Sequence, residues 1–236
     1  MTRVADGAPA VAFRRVLLKL SGQALGGQNG VAIDPARTAE LAAHVGRARR
    51  LGVDIGIVVG GGNIFRGVVA AARGQKGVTV RYDPAYRALG YPGGDVPDEA
   101  GVCTDVVIRA LRAARRLDLQ QLVHEDMKRH FSSYPQQWGL RSPDRNIDHR
   151  RVPNLRTFFT RRGWELEVTR DAADYEPGDI VTCTLAPGIH HIMIVSDRRS
   201  RDGVPHVIHN IGAGVREEDR LFEFDITGHY RVPASD

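Results

Sequence analysis

The sequence predicts an α+β fold in which helices come first and an antiparallel sheet follows. A helix-periodic apolar pattern covers residues 103–116, and four apolar or alternating segments separated by Gly, Pro and Asp turns fill residues 179–226. Helices followed by a run of strands are typical of an α+β domain. The first 67 residues differ, because a strand, a helix and a second strand there predict a partial βαβ unit.

The first 67 residues are predicted to form one domain built on that βαβ unit. Its helix begins with Asp34 as N-cap and Pro35 at the first helical position, and Gly52 ends it. The strand that follows is continuously apolar, as buried strands of parallel sheets are. The predicted elements are a strand at Arg15–Leu20, a turn at 21–22, a glycine-rich loop at 26–30, a helix at 34–51 and a strand at 53–59.

Residues 68–236 are predicted to form the second domain. A helix that starts at Cys103 and ends near Arg116 carries its apolar residues on one side. Residues 132–154 are rich in Pro, Asn, Asp and Arg and show little apolar periodicity, so we expect an ordered loop there. The other predicted elements are helices at 68–72 and 155–162 and strands at 179–185, 191–195, 206–211 and 221–226.

Composition and charge exclude several classes of protein. The 42% of hydrophobic residues suits an ordinary globular core, and no run of about 18 apolar residues indicates a membrane span. Residues 1–13 lack the pattern of a signal peptide, so a cytoplasmic protein is expected. Ten Lys or Arg against four Asp or Glu in residues 1–74 account for the basic excess. Because no nucleic-acid motif accompanies it, we interpret this excess as a solvated helix face.

Cys103 is the candidate nucleophile and one of only two cysteines, so no disulfide framework is indicated. It stands at the first turn of a predicted helix. Unpaired backbone N–H groups and the positive end of the helix dipole favour a thiolate there and can stabilise an oxyanion. The alternative is a small, inert core residue, since free cysteine is often buried. This segment alone leaves both interpretations open.

A cysteine nucleophile needs a base, and two histidines begin the strand predicted at 191–195. Because side chains alternate along a strand, only one of His190 and His191 can face Cys103. His209 on the next predicted strand can orient the imidazole, since same-face side chains of neighbouring strands lie about 5 Å apart. The same two histidines could be half of a metal site. No Cys or carboxylate stands at ligand spacing beside them, so neither a metal nor a cofactor is expected.

Four motifs resemble those of the NlpC-type cell-wall peptidases, a papain-like family of cysteine hydrolases. They are Tyr91-Pro92-Gly93-Gly94 with Gly101-Val102-Cys103-Thr104-Asp105, then Glu176-Pro177-Gly178-Asp179, His191-Ile192-Met193-Ile194-Val195 and Val207-Ile208-His209. Residues 68–232 as a whole are similar to the YijF-like bacterial family of unknown function within that superfamily. The resemblance implies a papain-like fold and hydrolysis of amide bonds in peptides such as those of the cell wall. It also implies an exported enzyme.

The resemblance assigns a role to six residues. The chain departs from the broader family at Val102, where an Asp is usual, and at Thr104-Asp105, where Ser-Gly is usual, so the shape of the cleft stays open. The implied roles are nucleophile for Cys103, general base and later acid for His191, orienting residue for His209, and oxyanion donor or support for Tyr91, Thr104 and Asn210.

The loop over residues 146–154 is the expected substrate-recognition element. Arg150 and Arg151 can hold a carboxylate in the forked geometry of a guanidinium group. The alternative is that Asp148 pairs with these arginines and braces the loop. Together with His149 these are the candidate substrate-binding residues.

The first third of the chain resembles the start of bacterial uridylate (UMP) kinase, an amino-acid-kinase fold. Residues 15–22 and 56–67 carry the resemblance, which ends near residue 74. A glycine-rich turn after a buried strand exposes backbone N–H groups to anions. One βαβ unit cannot cover both faces of a parallel sheet, so we interpret this part as a non-catalytic fused fragment. The implied nucleotide-binding positions are Lys19, Gly22, Gly60, Gly61, Gly62 and Arg66.

The leading prediction is therefore a Cys-His-His thiol hydrolase acting on a peptide or peptidoglycan-like substrate. A nucleotide-binding protein related to uridylate kinase is the first alternative, motivated by residues 15–67. A binding module that keeps a hydrolase fold without activity is the second, motivated by the unusual flanks of Cys103.

Overall fold

The computed structural model describes residues 13–20, 35–59 and 62–233, and the chain divides into two compact units. The first covers residues 1–63 and the second residues 64–236. The sequence places this boundary slightly later, between Gly67 and Val68. Within the described ranges, every helix is too short or too polar to cross a membrane.

The first unit is a βαβ unit. Strands β1 (Arg15–Leu20) and β2 (Asp54–Val59) pair in parallel, and helix α1 (Pro35–Arg50) connects them. Gly52 has a φ of 83°, so the chain leaves α1 through a left-handed position that glycine adopts without strain. The predicted strand, helix and strand are confirmed. The predicted turn at 21–22 and loop at 26–30 lie outside the described residues.

The described part of the first unit buries very little apolar surface. Helix α1 has no buried residue, and Leu17 of β1 is 72% exposed. A groove of about 480 Å³ lies between α1 and the two strands and is lined mainly by apolar side chains. A parallel sheet normally has helices packed on both faces, whereas the described part of this unit supplies one helix and two strands. The core of this described part is therefore open.

The second unit places its helices before its main sheet, as predicted. Helices α3 and α5 pack on that sheet, and the predicted helices at Cys103 and near Leu155 are confirmed. The elements before the sheet are α2 (Gly62–Arg73), the parallel pair β3 (Arg81–Tyr82) and β4 (Ala100–Gly101), α3 (Cys103–Arg115), α4 (Leu119–His130) and α5 (Val152–Arg161), with 3₁₀ turns at Phe131–Ser133 and Asp148–Arg150.

A six-stranded antiparallel sheet completes the second unit, and the α+β class is confirmed. Its strands are β5 (Glu165–Leu166), β6 (Ile180–Ala186), β7 (Ile189–Arg199), β8 (Pro205–Asn210), β9 (Val215–Glu218) and β10 (Asp225–Tyr230). They lie in the order β5-β10-β6-β7-β8-β9. In the β6–β7 hairpin, Cys183 is directly opposite His191.

Alternating side chains of the sheet fill a separate apolar cluster on each face. Ile192, Ile194 and Ile208 belong to the larger cluster, which also contains Cys103 of α3. Cys183, Met193 and Val207 belong to the smaller cluster, which Tyr175 and Leu221 cover. Because neighbouring residues of a strand point to opposite faces, the sheet is buried on both sides.

Helix α4 lies where no helix was predicted. Asp118 is its N-cap, and the Asp118 carboxylate accepts a hydrogen bond from the backbone N–H of Gln120 over 3.2 Å. Leu119, Val123 and Met127 recur every four residues and are buried. Polar residues between them hide this spacing in the sequence, yet the N-cap and the repeat together are the signal of a helix.

The strand predicted at 221–226 is wrong by several residues, since β10 covers Asp225–Tyr230. Residues 221–224 form turns, and Leu221 fills the smaller cluster from there. Phe222 and Phe224 pack against the same cluster. The alternation that mimics a strand therefore comes from a turn that covers one face of the sheet.

Candidate active site

Cys103 opens helix α3, and the local sequence shapes the start of that helix. The N-cap is Val102, whose backbone N–H donates to the Asp105 carboxylate over 2.6 Å. Valine has no side-chain acceptor, so the third helical residue provides the cap from inside the helix. A Cβ on Gly101 would lie 3.0 Å from Oδ2 of Asp105, which explains why a glycine stands there. Asp105 therefore holds the nucleophile segment in place.

Asp105 is in turn held by Arg150 in a buried ion pair with two hydrogen bonds. Nε and Nη2 of Arg150 each donate to one carboxylate oxygen over 2.9 Å. Arg150 also donates to the carbonyl oxygens of Asp83 and Ala85 over 3.2 and 3.3 Å. The Thr104 hydroxyl donates to the carbonyl of Arg150 over 3.1 Å. The proposed oxyanion supporter Thr104 is therefore engaged with backbone, and the ion pair joins α3 to two loops.

The Cys103 sulfur lies against strand β7 and accepts a hydrogen bond from the backbone N–H of Ile192. Strand β7 pairs with β8 at Ile194–Ile208 and Val195–Val207, and Ile192 lies just before this paired stretch. The thiol is only 4% exposed. Burial raises the pKa of Cys103 to about 12, while hydrogen bonds from the backbone N–H groups of Ile192, Thr104 and Cys103 itself oppose that rise. The site thus offers backbone donors to a negative charge but leaves the resting thiol protonated.

His191 and His209 are in direct contact. Nε2 of His191 lies 2.8 Å from Nδ1 of His209, and both side chains are buried. Burial, followed by the charges of His209 and Arg220, lowers the pKa of His191 to about 3. Burial also lowers the pKa of His209 despite its hydrogen bond to Glu218. Both rings are therefore neutral near pH 7.

Glu218 extends this contact to a third strand. Nε2 of His209 lies 3.1 Å from Oε2 of Glu218. His191 is on β7, His209 on β8 and Glu218 on β9, so the hydrogen-bonded chain crosses three neighbouring strands. No group of three His, Cys, Asp or Glu side chains with the geometry of a metal site occurs in the described part of the chain.

The structure brings the sulfur beside the strand of His191 without a hydrogen bond between the two side chains. Ile192, whose amide contacts the sulfur, directly follows His191. Alternation along β7 places His191 on the face of Cys183 and Ile192 on the face of Cys103. Among the described residues, no hydrogen bond joins the Cys103 sulfur to an imidazole nitrogen. The roles of Cys103, His191 and His209 stay predictions.

Tyr82, rather than Tyr91, is the tyrosine that responds to the charge of Cys103. Burial, and then the negative charge of a Cys103 thiolate, raises the pKa of Tyr82 to about 12. Tyr82 pairs with Gly101, two residues before the nucleophile. The ring of Tyr91 instead meets the edge of His124 at 5.3 Å between centroids. The role predicted for Tyr91 is not supported by any recorded contact with Cys103 among the described residues.

Asn210, the second predicted support, ties the end of β8 to the nucleophile segment. Its Nδ2 donates to the carbonyl oxygen of Gly101 over 2.9 Å and to that of Arg81 over 3.3 Å. Asn210 is fully buried. Its contacts position β4, which delivers the chain to Cys103.

The candidate substrate-binding loop is largely occupied by internal contacts. Asp148 accepts hydrogen bonds from Nη1 of Arg151 over 3.1 Å and from the backbone N–H of Asp144. His149 is buried, which lowers its pKa to about 4. Arg150 is committed to Asp105. The geometry favours the bracing alternative over substrate recognition, with Asp105 as the unexpected partner.

The residues that resemble a nucleotide site lie in the first unit or near its end. Lys19 lies on β1, and Gly62 and Arg66 fall within α2. Gly22, Gly60 and Gly61 lie outside the described residues. Their nucleotide-binding role stays a prediction.

Comparison with known families places the second unit. The family described as "Domain of unknown function (DUF1287)" matches residues 69–232. The chain belongs to this family. It is 57% identical to uncharacterized protein YijF of Escherichia coli K12 over 164 residues, which are 70% of the chain and 80% of YijF. The predicted YijF-like family is thus confirmed for the DUF1287 domain.

The two other comparisons concern the kinase-like segment and solved structures. Uridylate kinase of Sinorhizobium medicae is 52% identical over 67 residues, which are 28% of the chain and 28% of the kinase. The predicted kinase resemblance is confirmed, and the chain spans about a quarter of that enzyme. NlpC1 from Trichomonas vaginalis superposes with a TM-score of 0.38 at 17% identity, covering 73% of the chain and 45% of NlpC1.

Sequence reasoning missed Glu218 because it missed strand β9. The strand reads Val-Arg-Glu-Glu and has no apolar periodicity, as is common for charged edge strands. Gly212 and Gly214, both at positive φ, follow β8 and mark a hairpin turn. That turn is the signal that could have placed a further strand, and Glu218, beside His209.

Proposed function

We propose that the DUF1287 domain is a thiol hydrolase that cleaves amide bonds in peptides, with peptidoglycan-like peptides as the substrate class. The observation that carries the proposal is the contact of the Cys103 sulfur with the amide of Ile192, the residue next to His191. The position of Cys103 at the start of α3 adds backbone donors for an oxyanion. The substrate class rests on the resemblance of the motifs to NlpC-type peptidases.

In the proposed reaction, the sulfur of Cys103 attacks the carbonyl carbon of the amide while His191 accepts the thiol proton. The tetrahedral oxyanion faces the amide N–H groups of Ile192 and Thr104. The C–N bond then breaks, the amine leaves with the proton from His191, and an acyl thioester remains on Cys103. Water gives a proton to His191 and attacks the thioester, which releases the carboxylic acid and restores the thiol.

Proton transfer in this scheme accompanies attack and does not precede it. The thiol keeps its proton at rest because its pKa is about 12, and His191 is neutral. Because His191 lies on the other face of β7, the scheme requires that β7 or the start of α3 rearranges when substrate binds, so that the imidazole reaches the sulfur.

The decisive experiment incubates the full chain with muropeptides and follows the products by mass spectrometry. We expect cleavage, with a loss of at least about a thousandfold in Cys103→Ala. Cys183→Ala is the matched control, since it removes the other buried free cysteine. Equal cleavage by the Cys103→Ala chain would disprove the thiol mechanism.

A second candidate function, a binding module without catalysis, is favoured by one specific observation. The Cys103 sulfur is sealed in the larger apolar cluster, and its pKa is about 12. Alkylation by iodoacetamide separates the two proposals, because a nucleophile must be reached by reagents and substrate. If Cys103 reacts no faster than Cys183 and no muropeptide is cleaved, the binding module is the better account.

A further inference from the structure

Three polar side chains on three neighbouring strands form a continuous hydrogen-bonded chain that sequence motifs do not contain. His191 contacts His209 over 2.8 Å, and His209 contacts Glu218 over 3.1 Å. The two histidines are buried, and the Glu218 side chain is 28% exposed. These contacts therefore begin at His191, the sequence neighbour of Ile192, whose amide contacts the Cys103 sulfur, and end at the edge strand β9.

The register of the sheet explains why Glu218 reaches His209. His209 is directly opposite Arg216, and Val207 is directly opposite Glu218. Residues two apart share a face, so Glu218 is the diagonal neighbour of His209, within reach of a long side chain. Arg216 approaches Oε1 and Arg220 approaches Oε2 of the same carboxylate, each at 3.8 Å, and both favour its ionised form.

The chain of contacts fixes the position of each proton. A carboxylate only accepts hydrogen bonds, so Nε2 of His209 must donate to Glu218. In a neutral ring the other nitrogen is then an acceptor, so Nδ1 of His209 accepts from Nε2 of His191. His191 is also neutral, which leaves its Nδ1 without a proton. Nδ1 of His191 is therefore the nitrogen that can accept the thiol proton, and Glu218 determines this through His209.

We infer that Glu218 is a positioning residue that sets the tautomer of His209 and, through it, the basic Nδ1 of His191. The inference rests on the proposed hydrolase for its catalytic meaning, but the tautomers themselves exist whether or not the chain turns over a substrate. A third polar group that orients the base is common in cysteine hydrolases, and here a fourth group orients the third.

The test measures the ¹⁵N chemical shifts of the imidazole nitrogens by NMR at pH 7, in the full chain labelled with ¹⁵N-histidine. These shifts report which ring nitrogen carries the proton. In the wild type we expect Nε2 of both His191 and His209 to carry the proton. In Glu218→Ala the acceptor is gone, and we expect both rings to show a mixture of tautomers. Glu218→Gln should restore the wild-type signals, because its amide oxygen accepts the same hydrogen bond.

Glu223→Gln is the matched control. It removes a negative charge beside Arg220 without removing a hydrogen bond to His209, so its tautomers should equal those of the wild type. A purely structural role for Glu218 would change stability and leave the tautomers unchanged. Unchanged tautomers in Glu218→Ala, or mixed tautomers in Glu223→Gln, would overturn the inference.

The experiment keeps this inference separate from the proposed function. If tautomers shift in Glu218→Ala but Cys103→Ala cleaves muropeptides as well as the wild type, the hydrolase proposal fails and the positioning role stands. If cleavage depends on Cys103 but tautomers do not depend on Glu218, the reverse holds.

Discussion

The two units of the chain contain equally regular secondary structure but differ in how much of it is buried. The first unit has a paired sheet and a 16-residue helix, yet no residue of that helix is buried. The second unit buries Trp164, Tyr175 and Tyr230 almost completely. Local sequence therefore specifies strands and helices in both units, whereas a closed core needs enough elements to cover both faces of a sheet.

The largest difference should appear when the units are separated. We expect residues 64–236 alone to unfold in one cooperative thermal transition, because both faces of their sheet are covered. We expect residues 1–63 alone to show no cooperative transition by circular dichroism or calorimetry, because their described part has an open apolar groove. A sharp transition in the isolated first unit would show that it has a closed core of its own.

The two units also differ in how deeply their ion pairs are buried. Arg150→Ala leaves Asp105 buried without its partner, and such a loss costs about 3–5 kcal/mol of unfolding free energy. Arg15→Ala is the matched change in the first unit, where the Arg15–Asp54 pair spans 3.7 Å and is 89% and 79% exposed. We expect no measurable loss there. Urea titration measures both, and similar losses would contradict the argument.

The elements of the second unit were predictable where their buried residues follow the period of a helix or a strand in the sequence. Helix α3 and the central strands follow from such patterns, because their buried faces carry Val, Ile and Leu. Helix α4 was missed because polar residues separate its apolar repeat, and strand β9 because tertiary contacts rather than an apolar pattern hold it. Glu217 of β9 illustrates this, because its buried carboxylate is held by Arg73 and Ser196 from distant parts of the sequence.

The sequence nominates residues for the candidate site but does not predict which of them are in contact. The sequence nominates Cys103, His191 and His209, whose roles stay predictions; the structure brings the two histidines together, and no described hydrogen bond joins either of them to the sulfur. The sequence does not identify Asp105 as the partner of Arg150, because these residues are 45 positions apart and meet only once α3 and the loop are folded. Charge pairing across such distances is invisible to motif spacing.

Acid unfolding should report on Glu217 with a smaller effect. Burial opposes its ionisation, but hydrogen bonds from Arg73 and Ser196 outweigh burial and lower the pKa of Glu217 to about 2. A lowered carboxyl pKa stabilises the fold above the unfolded value near 4.5, and this stabilisation is lost as pH falls toward 2. The wild type should lose about 2 kcal/mol more than Glu217→Gln between pH 6 and about pH 2.5.

The matched control for acid unfolding is Glu176→Gln, since Glu176 is an exposed carboxylate that pairs with Arg231. We expect the pH dependence of this variant to follow the wild type. Urea titrations across the pH range measure all three chains. If the unfolding free energy of Glu217→Gln falls with pH as steeply as that of the wild type, this carboxylate does not contribute to the acid sensitivity of the second unit.

We expect the first unit to bind neither UMP nor ATP measurably. Lys19 lies on β1 of a two-stranded sheet, and the remaining elements that close a parallel sheet are not among the described ones. A phosphate site needs several backbone N–H groups held in one orientation, and the described strands of this unit pack against a single helix. Calorimetry of the full chain with UMP and with ATP at millimolar concentration should give no binding heat. If heat appears and Lys19→Ala removes it, the first unit retains a working anion site, and an open core is then no obstacle to binding.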